Sequence, residues 1–392
     1  MGNLGSSPAN AVIEGRMGSR AVSFTPGPIE SGGHRVFNSS VRLEKPRLWS
    51  PASPNLYRIV LAVGLDGRVV QRYTLHTGIR TITVDGGGAL LLNGSPVSLR
   101  GAGMHEDDPQ RGAALGPAEL RGNIDMLREL GATVTRAQYP LHPLTLELAD
   151  RYVILVWSEV PVYQTRDRLF EHAQLRRHAI GTVRTLVTRD RSHPSVLVWS
   201  LGNENATRPG SGFTRYVTSA TRLVRRLDPG RLVGLSVAGY PTVGRQTVYE
   251  TLDMVGVNDY FGWDAGPKGS LANRGALSPY LDRLHRDYPR QALFVTEFGA
   301  EANRQGAATE KGTYAFQQDF LAYHLNVFAG KPFITGAIVW LLKDFHVKPR
   351  YDGGNPSPVP PVSEKGLVDL TGAPKPAFET VKRLFAAGTT PP

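Results

Sequence analysis

The chain has 392 residues, 41% hydrophobic and 20% charged, a balance that suits a globular protein large enough for two or three domains. It has no cysteine, which excludes disulfides, thiolate nucleophiles and Cys-ligated zinc or iron–sulfur sites, and no run approaches the ~18 apolar residues of a membrane-spanning helix. The net charge is 45 − 34 = +11, yet the arginines stand singly or in pairs (Arg176-Arg177, Arg225-Arg226), as on solvated helix faces, so neither nucleic acid nor a membrane is an expected partner.

Residues 1–20 are rich in Gly, Ser and Ala, lack periodicity, and are expected to be disordered. They carry no apolar core of a secretory signal, so a cytoplasmic location is expected. Ile13-Glu14-Gly15-Arg16 within them resembles a processing-protease site, which chance explains equally well.

From 21 to 85 the signals are β. Residues 36–43 alternate loosely, 56–63 read as a stronger strand, and the Asp66-Gly67 turn signal leads into a third run at 69–75. A further run, 80–84, ends at Asp85-Gly86-Gly87-Gly88. Strands without helices predict a partial immunoglobulin-like β-sandwich.

Beyond this, over 86–388, strand-like and helix-like stretches alternate, the pattern of a parallel β/α architecture. Strands are predicted at 97–102, 133–138, 153–157, 196–201, 232–237, 254–258, 293–296 and 334–340. Helices are predicted at 117–130, 144–150, 168–189, 214–227, 279–288, 312–328 and 376–385. Eight strands over this length predict an α/β chain with a (β/α)8 TIM barrel. The proline-rich segment 355–362 follows the last strand and falls on the expected active-site rim.

Two of these strands share a design. Val196-Leu197-Val198-Trp199-Ser200-Leu201 runs into Gly202-Asn203-Glu204, and Leu293-Phe294-Val295-Thr296 runs into Glu297-Phe298-Gly299. An unbroken apolar run reads as a strand buried on both faces, and ligands bind at the C-terminal ends of such strands. The glutamates end the fourth and seventh strands, which face each other across a closed barrel. Two converging carboxyls suit acetal hydrolysis, one protonating the leaving oxygen and the other attacking or assisting at the anomeric carbon. An ion pair at a loop would explain either glutamate alone, but not both in matching contexts.

The residues also carry a resemblance. Leu48-Trp49-Ser50-Pro51, Asn55-Leu56-Tyr57, Gly78-Ile79-Arg80, Leu92-Asn93-Gly94, Leu99-Arg100-Gly101 and His105-Glu106-Asp107 stand in collinear order with Tyr139-Pro140-Leu141-His142-Pro143 and Asp190-Arg191-Ser192-His193-Pro194-Ser195. The two glutamate motifs and Lys365-Gly366-Leu367 complete the set. Together they resemble the β-galactosidase/β-glucuronidase family, glycoside hydrolase family 2, from about residue 45 to 385.

That resemblance implies a retaining exo-β-glycosidase with Glu204 as acid/base and Glu297 as nucleophile. It further implies that Asn203 bonds the sugar 2-hydroxyl and that Tyr260 donates to the nucleophile. Trp340 would offer a stacking face, His105 a hydroxyl contact, and Arg136 a hydrogen bond to Glu297. Lys365 is the surviving lysine of the Asn-x-Lys motif with which the family's glucuronidases grip the sugar carboxylate; here the motif reads Ser363-Glu364-Lys365. His142 and His193, each before proline, are read as structural; Glu159, a third strand-end carboxylate, is read as a structural or subsite group and not a third catalyst. Where the family commonly has His before Tyr-Pro, this chain has Gln138. The family's N-terminal sugar-binding domain is read as missing.

No metal or organic cofactor is expected, since the chemistry needs none and no compact ligand cluster stands in the sequence. The expected partner is a carbohydrate or glycoside substrate, with a homo-oligomer left open. Two other readings stay open here: mannosidase- or glucosaminidase-like specificity on the same barrel, and a non-catalytic carbohydrate-binding fragment.

Overall fold

The computed structural model describes every residue except 66, 206–207, 240–243, 266–272, 352 and 389–392. The chain divides into two compact units, Met1–Arg80 with Ser192–Pro194, and Thr81–Arg191 with Ser195–Pro392.

In the first unit the strand Ala9–Met17 is central to a five-stranded sheet. It pairs antiparallel with Arg20–Ser23, Gly27–Ile29 and Tyr57–Leu65, and the last of these pairs with Arg68–Thr77. Residues 1–20 are therefore not disordered. Ala11, Ile13, Gly15 and Met17 are buried while Val12, Glu14 and Arg16 are exposed, the period of two of a half-buried strand. Two of the four inward residues are Ala and Gly, which hid that period. The protease-like run lies in mid-strand, where Glu14 pairs with Ser23 on one edge and Ala62 on the other.

Residues 36–43, expected as a strand, form none; Val36 is 80% exposed, and both edges of Tyr57–Leu65 are taken by Ala9–Met17 and Arg68–Thr77. Gly67 takes a left-handed φ of 75° in the expected hairpin turn, while Asp66 lies outside the described residues. The 80–84 run does not close this sheet. Ile82–Val84 pairs with Leu90–Leu92 in the second unit, across a turn in which Asp85 Oδ1 accepts the Gly87 and Ala89 N–H groups.

The second unit is the expected barrel. Its strands are Leu99–Gly103, Val134–Ala137, Leu155–Glu159, Val196–Asn203, Leu232–Ala238, Met254–Asp259, Ala292–Phe298 and Ile334–Val339, all parallel, the eighth pairing with the first. Local chemistry sets the helix ends. Pro117 opens Pro117–Leu130 with Glu119 accepting the Gly116 N–H at 2.8 Å, and Gly131 closes it at φ 78°. His142 is structural: its Nδ1 accepts the Leu144 N–H and caps Pro143–Tyr152. The helix expected over 168–189 is broken into Asp167–Phe170 and Ala173–Asp190.

Large rings fill the barrel interior. Trp157 and Phe294 pack with centroids 5.3 Å apart, and both are fully buried. Glycines on other strands make room: a Cβ at Gly256 would come within 3.0 Å of the Trp157 ring, and one at Gly336 would strike Phe294. Above these rings lies a buried polar layer, on which the cavity opens.

Candidate active site

Glu204 and Glu297 are brought to one cavity by irregular strand ends. The pairing of the fourth and fifth strands shifts between Ser200 and Asn203, and Glu204 then takes φ 45°, a left-handed conformation that costs a non-glycine residue about 1–3 kcal/mol. Its N–H still donates to Ser236 O at 2.9 Å, so the strained residue is anchored. Register also shifts between Val257 and Asn258 on the sixth strand and between Val295 and Phe298 on the seventh. These shifts let Asn258 and Glu297 face the same space.

Arg136, fully buried on the second strand, is the hub. Its Nη1 donates to Glu297 Oε1 at 2.6 Å, and its Nη2 donates to Glu159 Oε1 at 2.8 Å and Asn203 Oδ1 at 2.7 Å. Burial works against the guanidinium charge, but the Glu159 and Glu297 carboxylates more than offset it and raise its pKa. Of the two roles expected for Glu159, the structural one fits its burial: Ser200 and Ser236 hydroxyls and the Trp157 indole donate to its other oxygen. Glu297 accepts two more bonds, from Gln138 Nε2 at 2.7 Å and the Tyr260 hydroxyl at 2.8 Å. Burial, then the charge of Glu297, pushes the Tyr260 phenol up, so it stays a donor at neutral pH.

Glu204 is held differently. Asn258 Nδ2 donates to its Oε1 at 2.9 Å and Gln164 Nε2 to its Oε2 at 2.9 Å. Among the described residues no cation is ion-paired with it. Burial, with the Glu297 charge second, raises its pKa from 4.5 to about 7.

The cavity between them measures about 650 Å³ and is lined by His105, Gln138, Tyr163, Tyr260, Trp340 and Lys365 as well as both glutamates. Trp340 follows the eighth strand and meets His105 in a T-shaped contact with centroids 5.4 Å apart, while the His105 ring stacks on Phe345 at 3.7 Å. Burial lowers the His105 pKa to about 4, so its imidazole is neutral at pH 7. Among the described residues, Asn203 Nδ2, Arg136 Nε and His105 Nε2 are buried polar atoms of this region without a hydrogen-bond partner, and His105 lines the cavity. Native structures leave few such groups unpaired, and those at a cavity wall await a ligand or water. Lys365 donates to Gly353 O at 2.9 Å and lies 3.4 Å from Glu301 Oε1 and the Tyr351 hydroxyl. Burial lowers its pKa, but Tyr351 and Glu301 outweigh that, and the ammonium stays charged. Among the described residues no group of three His, Asp or Glu side chains converges as a metal site would, and no helix is long and apolar enough to cross a membrane.

The sequence model of glycosyl hydrolases family 2, TIM barrel domain, matches residues 82–387, and that of glycosyl hydrolases family 2 matches residues 12–80. The chain belongs to glycosyl hydrolase family 2. Among family relatives, the β-glucuronidase of Paenibacillus borealis is 30% identical over 325 residues, which cover 79% of this chain and 54% of the relative. The β-glucuronidase of Streptococcus agalactiae serotype V is 30% identical over 341 residues, covering 81% and 54%. A crystal structure of the family 2 β-galacturonidase from Eisenbergiella tayi bound to galacturonate superposes with a TM-score of 0.86 at 26% identity, over 98% of this chain and 68% of that one. The chain thus spans about half the length of the curated relatives it matches.

All eight residues singled out in this family 2 sequence fall in the cavity wall or directly behind it. Sequence reasoning missed three groups that hold the carboxyls. Gln138 stood out only as a departure from the family histidine. Asn258 carried a signal in hindsight, a polar residue ending a buried apolar run two places before Tyr260. Gln164 carried none, because it sits on a loop and its partner is 40 residues away.

Proposed function

We propose that this chain is a retaining β-glycosidase that removes a terminal β-linked sugar, with a uronic acid as the favoured sugar. The unequal settings of the two carboxyls carry this reading. Glu297 lies against a guanidinium and two further donors, which suits a nucleophile that must stay ionised and aimed. Glu204 has, among the described residues, two neutral amide donors and no paired cation, with a pKa raised to about 7, which suits a group that gives up a proton and takes it back.

In the first step Glu297 attacks the anomeric carbon as the bond to the leaving oxygen breaks, and the Glu204 proton passes to that oxygen. The product is a glycosyl ester on Glu297. In the second step Glu204, now a carboxylate, takes a proton from water, which displaces Glu297 from the anomeric carbon. Two inversions give net retention. Asn203 Nδ2, without a partner among the described residues, supports a bond to the sugar 2-hydroxyl, and the place of Trp340 in the cavity wall supports stacking. Lys365 supports a sugar carboxylate, in keeping with relatives named β-glucuronidase and β-galacturonidase.

The test is nitrophenol release from a panel of nitrophenyl β-glycosides, comprising glucuronide, galacturonide, galactoside, mannoside and N-acetylglucosaminide. Turnover strongest on a uronide, and reduced roughly 10⁴-fold or more in Glu297→Gln, is the expected outcome. Azide should then convert Glu297→Ala to the α-glycosyl azide and Glu204→Ala to the β-glycosyl azide. Sugar binding without turnover, in folded protein, would reduce the barrel to a carbohydrate-binding role; the reverse azide pattern would exchange the two roles.

A further inference from the structure

Beyond the groups that face the sugar, an interlock at the barrel rim fixes the segment bearing Glu204. Past the third strand the chain turns at Pro161 and runs beside the end of the fourth. The Asn203 N–H donates to Val162 O and the Gln164 N–H donates to Asn203 O, both at 2.9 Å, which extends strand pairing beyond the regular sheet. The Asn205 side chain completes the clamp: Nδ2 donates to Val162 O at 3.0 Å, and Oδ1 accepts the Thr165 N–H at 3.0 Å. Gly202, at φ 145°, is required there, since a Cβ would lie 2.5 Å from both Asn205 Nδ2 and Val162 O.

Two residues meet across this clamp in the same strained conformation. Gln164 and Glu204 both have φ 45°. Strain held on both sides of one contact points to the contact itself, the 2.9 Å bond from Gln164 Nε2 to Glu204 Oε2. Asn258 grips the other oxygen from within the barrel wall. The two amides fix the plane of the carboxyl and leave each oxygen a further lone pair for the proton it carries.

We infer that Gln164 is a positioning residue that aims the Glu204 carboxyl at the leaving oxygen and sets its acidity through the Val162–Thr165 clamp. The inference rests on the acid/base role proposed for Glu204. An N–H donor favours the carboxylate over the acid, so Gln164 opposes the burial and like charge that hold the proton on. That balance lets one group serve as acid in the first step and as base in the second.

The test reads Glu204 directly, without turnover, by ¹³C NMR of labelled glutamate carboxyls, with the Glu204 signal identified by its loss in Glu204→Gln. Gln164→Met removes the donor and should raise the Glu204 midpoint by about half a unit to one unit. Gln164→Glu puts a second carboxyl in the donor's place and should raise it further. The alkaline limb of kcat/KM should move in the same order, wild type, Met, Glu. A Glu204 midpoint unchanged in both variants overturns the inference, whatever happens to the rate. Midpoints that move in order, under a rate profile that does not follow, uphold the grip of Gln164 and overturn the acid/base reading of Glu204 instead.

Discussion

Glu204 and Glu297 share a cavity yet differ in every neighbour, and at the scale of the residue this difference has a thermodynamic consequence. Burial and the nearby Glu297 charge lift Glu204 from 4.5 to about 7, so between those values the folded state holds a proton that the unfolded chain has released. The stability associated with that proton is fully present below about pH 4.5 and is lost as pH rises through about 7. Glu204→Gln removes the penalty. It should therefore be more stable than the wild type at pH 8, by on the order of 2 kcal/mol, and should show no advantage near pH 4. Thermal melts at the two pH values decide it, and an equal gain at both would mean that ionisation is not the source. Arg136 poses the opposite case. Its charge is buried but has carboxylates on both sides, so removing it strands Glu159 and Glu297 rather than relieving them.

At the scale of the element, the end of the sixth strand shows how alternation serves the site. Asn258 and Tyr260 reach the two glutamates, while Asp259 between them is fully buried on the other side, toward the helix Tyr314–Ala329. Burial raises Asp259 to about 8 and lowers His324 to about 3, so at neutral pH an uncharged acid lies 3.4 Å from an uncharged imidazole. The other Asp259 oxygen accepts the Phe261 N–H at 3.0 Å, and His324 Nδ1 pairs with Phe320 O at 2.7 Å. This packing braces the strand that supplies donors to both carboxyls. Asp259→Asn keeps the acceptor for the Phe261 N–H and a polar group beside His324 Nε2, and should be tolerated. Asp259→Ala removes both and should cost about 1–3 kcal/mol in urea unfolding, with a lower kcat as Tyr260 loosens. An Asn variant no better than Ala would show that shape, and not hydrogen bonding, is what this position supplies.

At the scale of the whole molecule, the net charge of +11 sets a long-range field that acts on substrates before contact. Lys348 and Lys365 line the cavity together with Asp264, Glu204 and Glu297, so the lining adds no net positive charge and the attraction rests on the total. A uronide carries a negative charge and a galactoside none. Raising salt from about 0.02 to 0.5 M should therefore lower kcat/KM several-fold for a β-glucuronide and leave a neutral β-galactoside nearly unchanged. Equal salt responses would place the origin of any uronide preference in short-range contacts alone. The barrel supplies the geometry that this field serves: cavity groups come from strand ends spread around the ring, and closure of the eighth strand on the first brings Trp340 next to His105.

The strands, their order and the two glutamates were readable from the residues because each signal is local. A buried parallel strand needs an unbroken apolar run, the run stops where the barrel opens, and a carboxylate at that stop is visible within a dozen residues. The strand Ala9–Met17 escaped notice for the same reason: its inward positions include Ala and Gly, which carry little hydrophobic signal by themselves, and only pairing with partners on both edges makes it a strand. The residues themselves do not show the hydrogen-bond network; the resemblance placed Arg136 and Tyr260 at Glu297 and nothing at Glu204. Arg136 and Gln138 meet Glu297 across 161 and 159 residues, and Asn258 meets Glu204 across 54. No periodicity in the chain encodes those distances. The sequence by itself determined which residues could do chemistry; closure of the barrel, with its register shifts, brought the cation against one carboxyl and, among the described residues, only amides against the other.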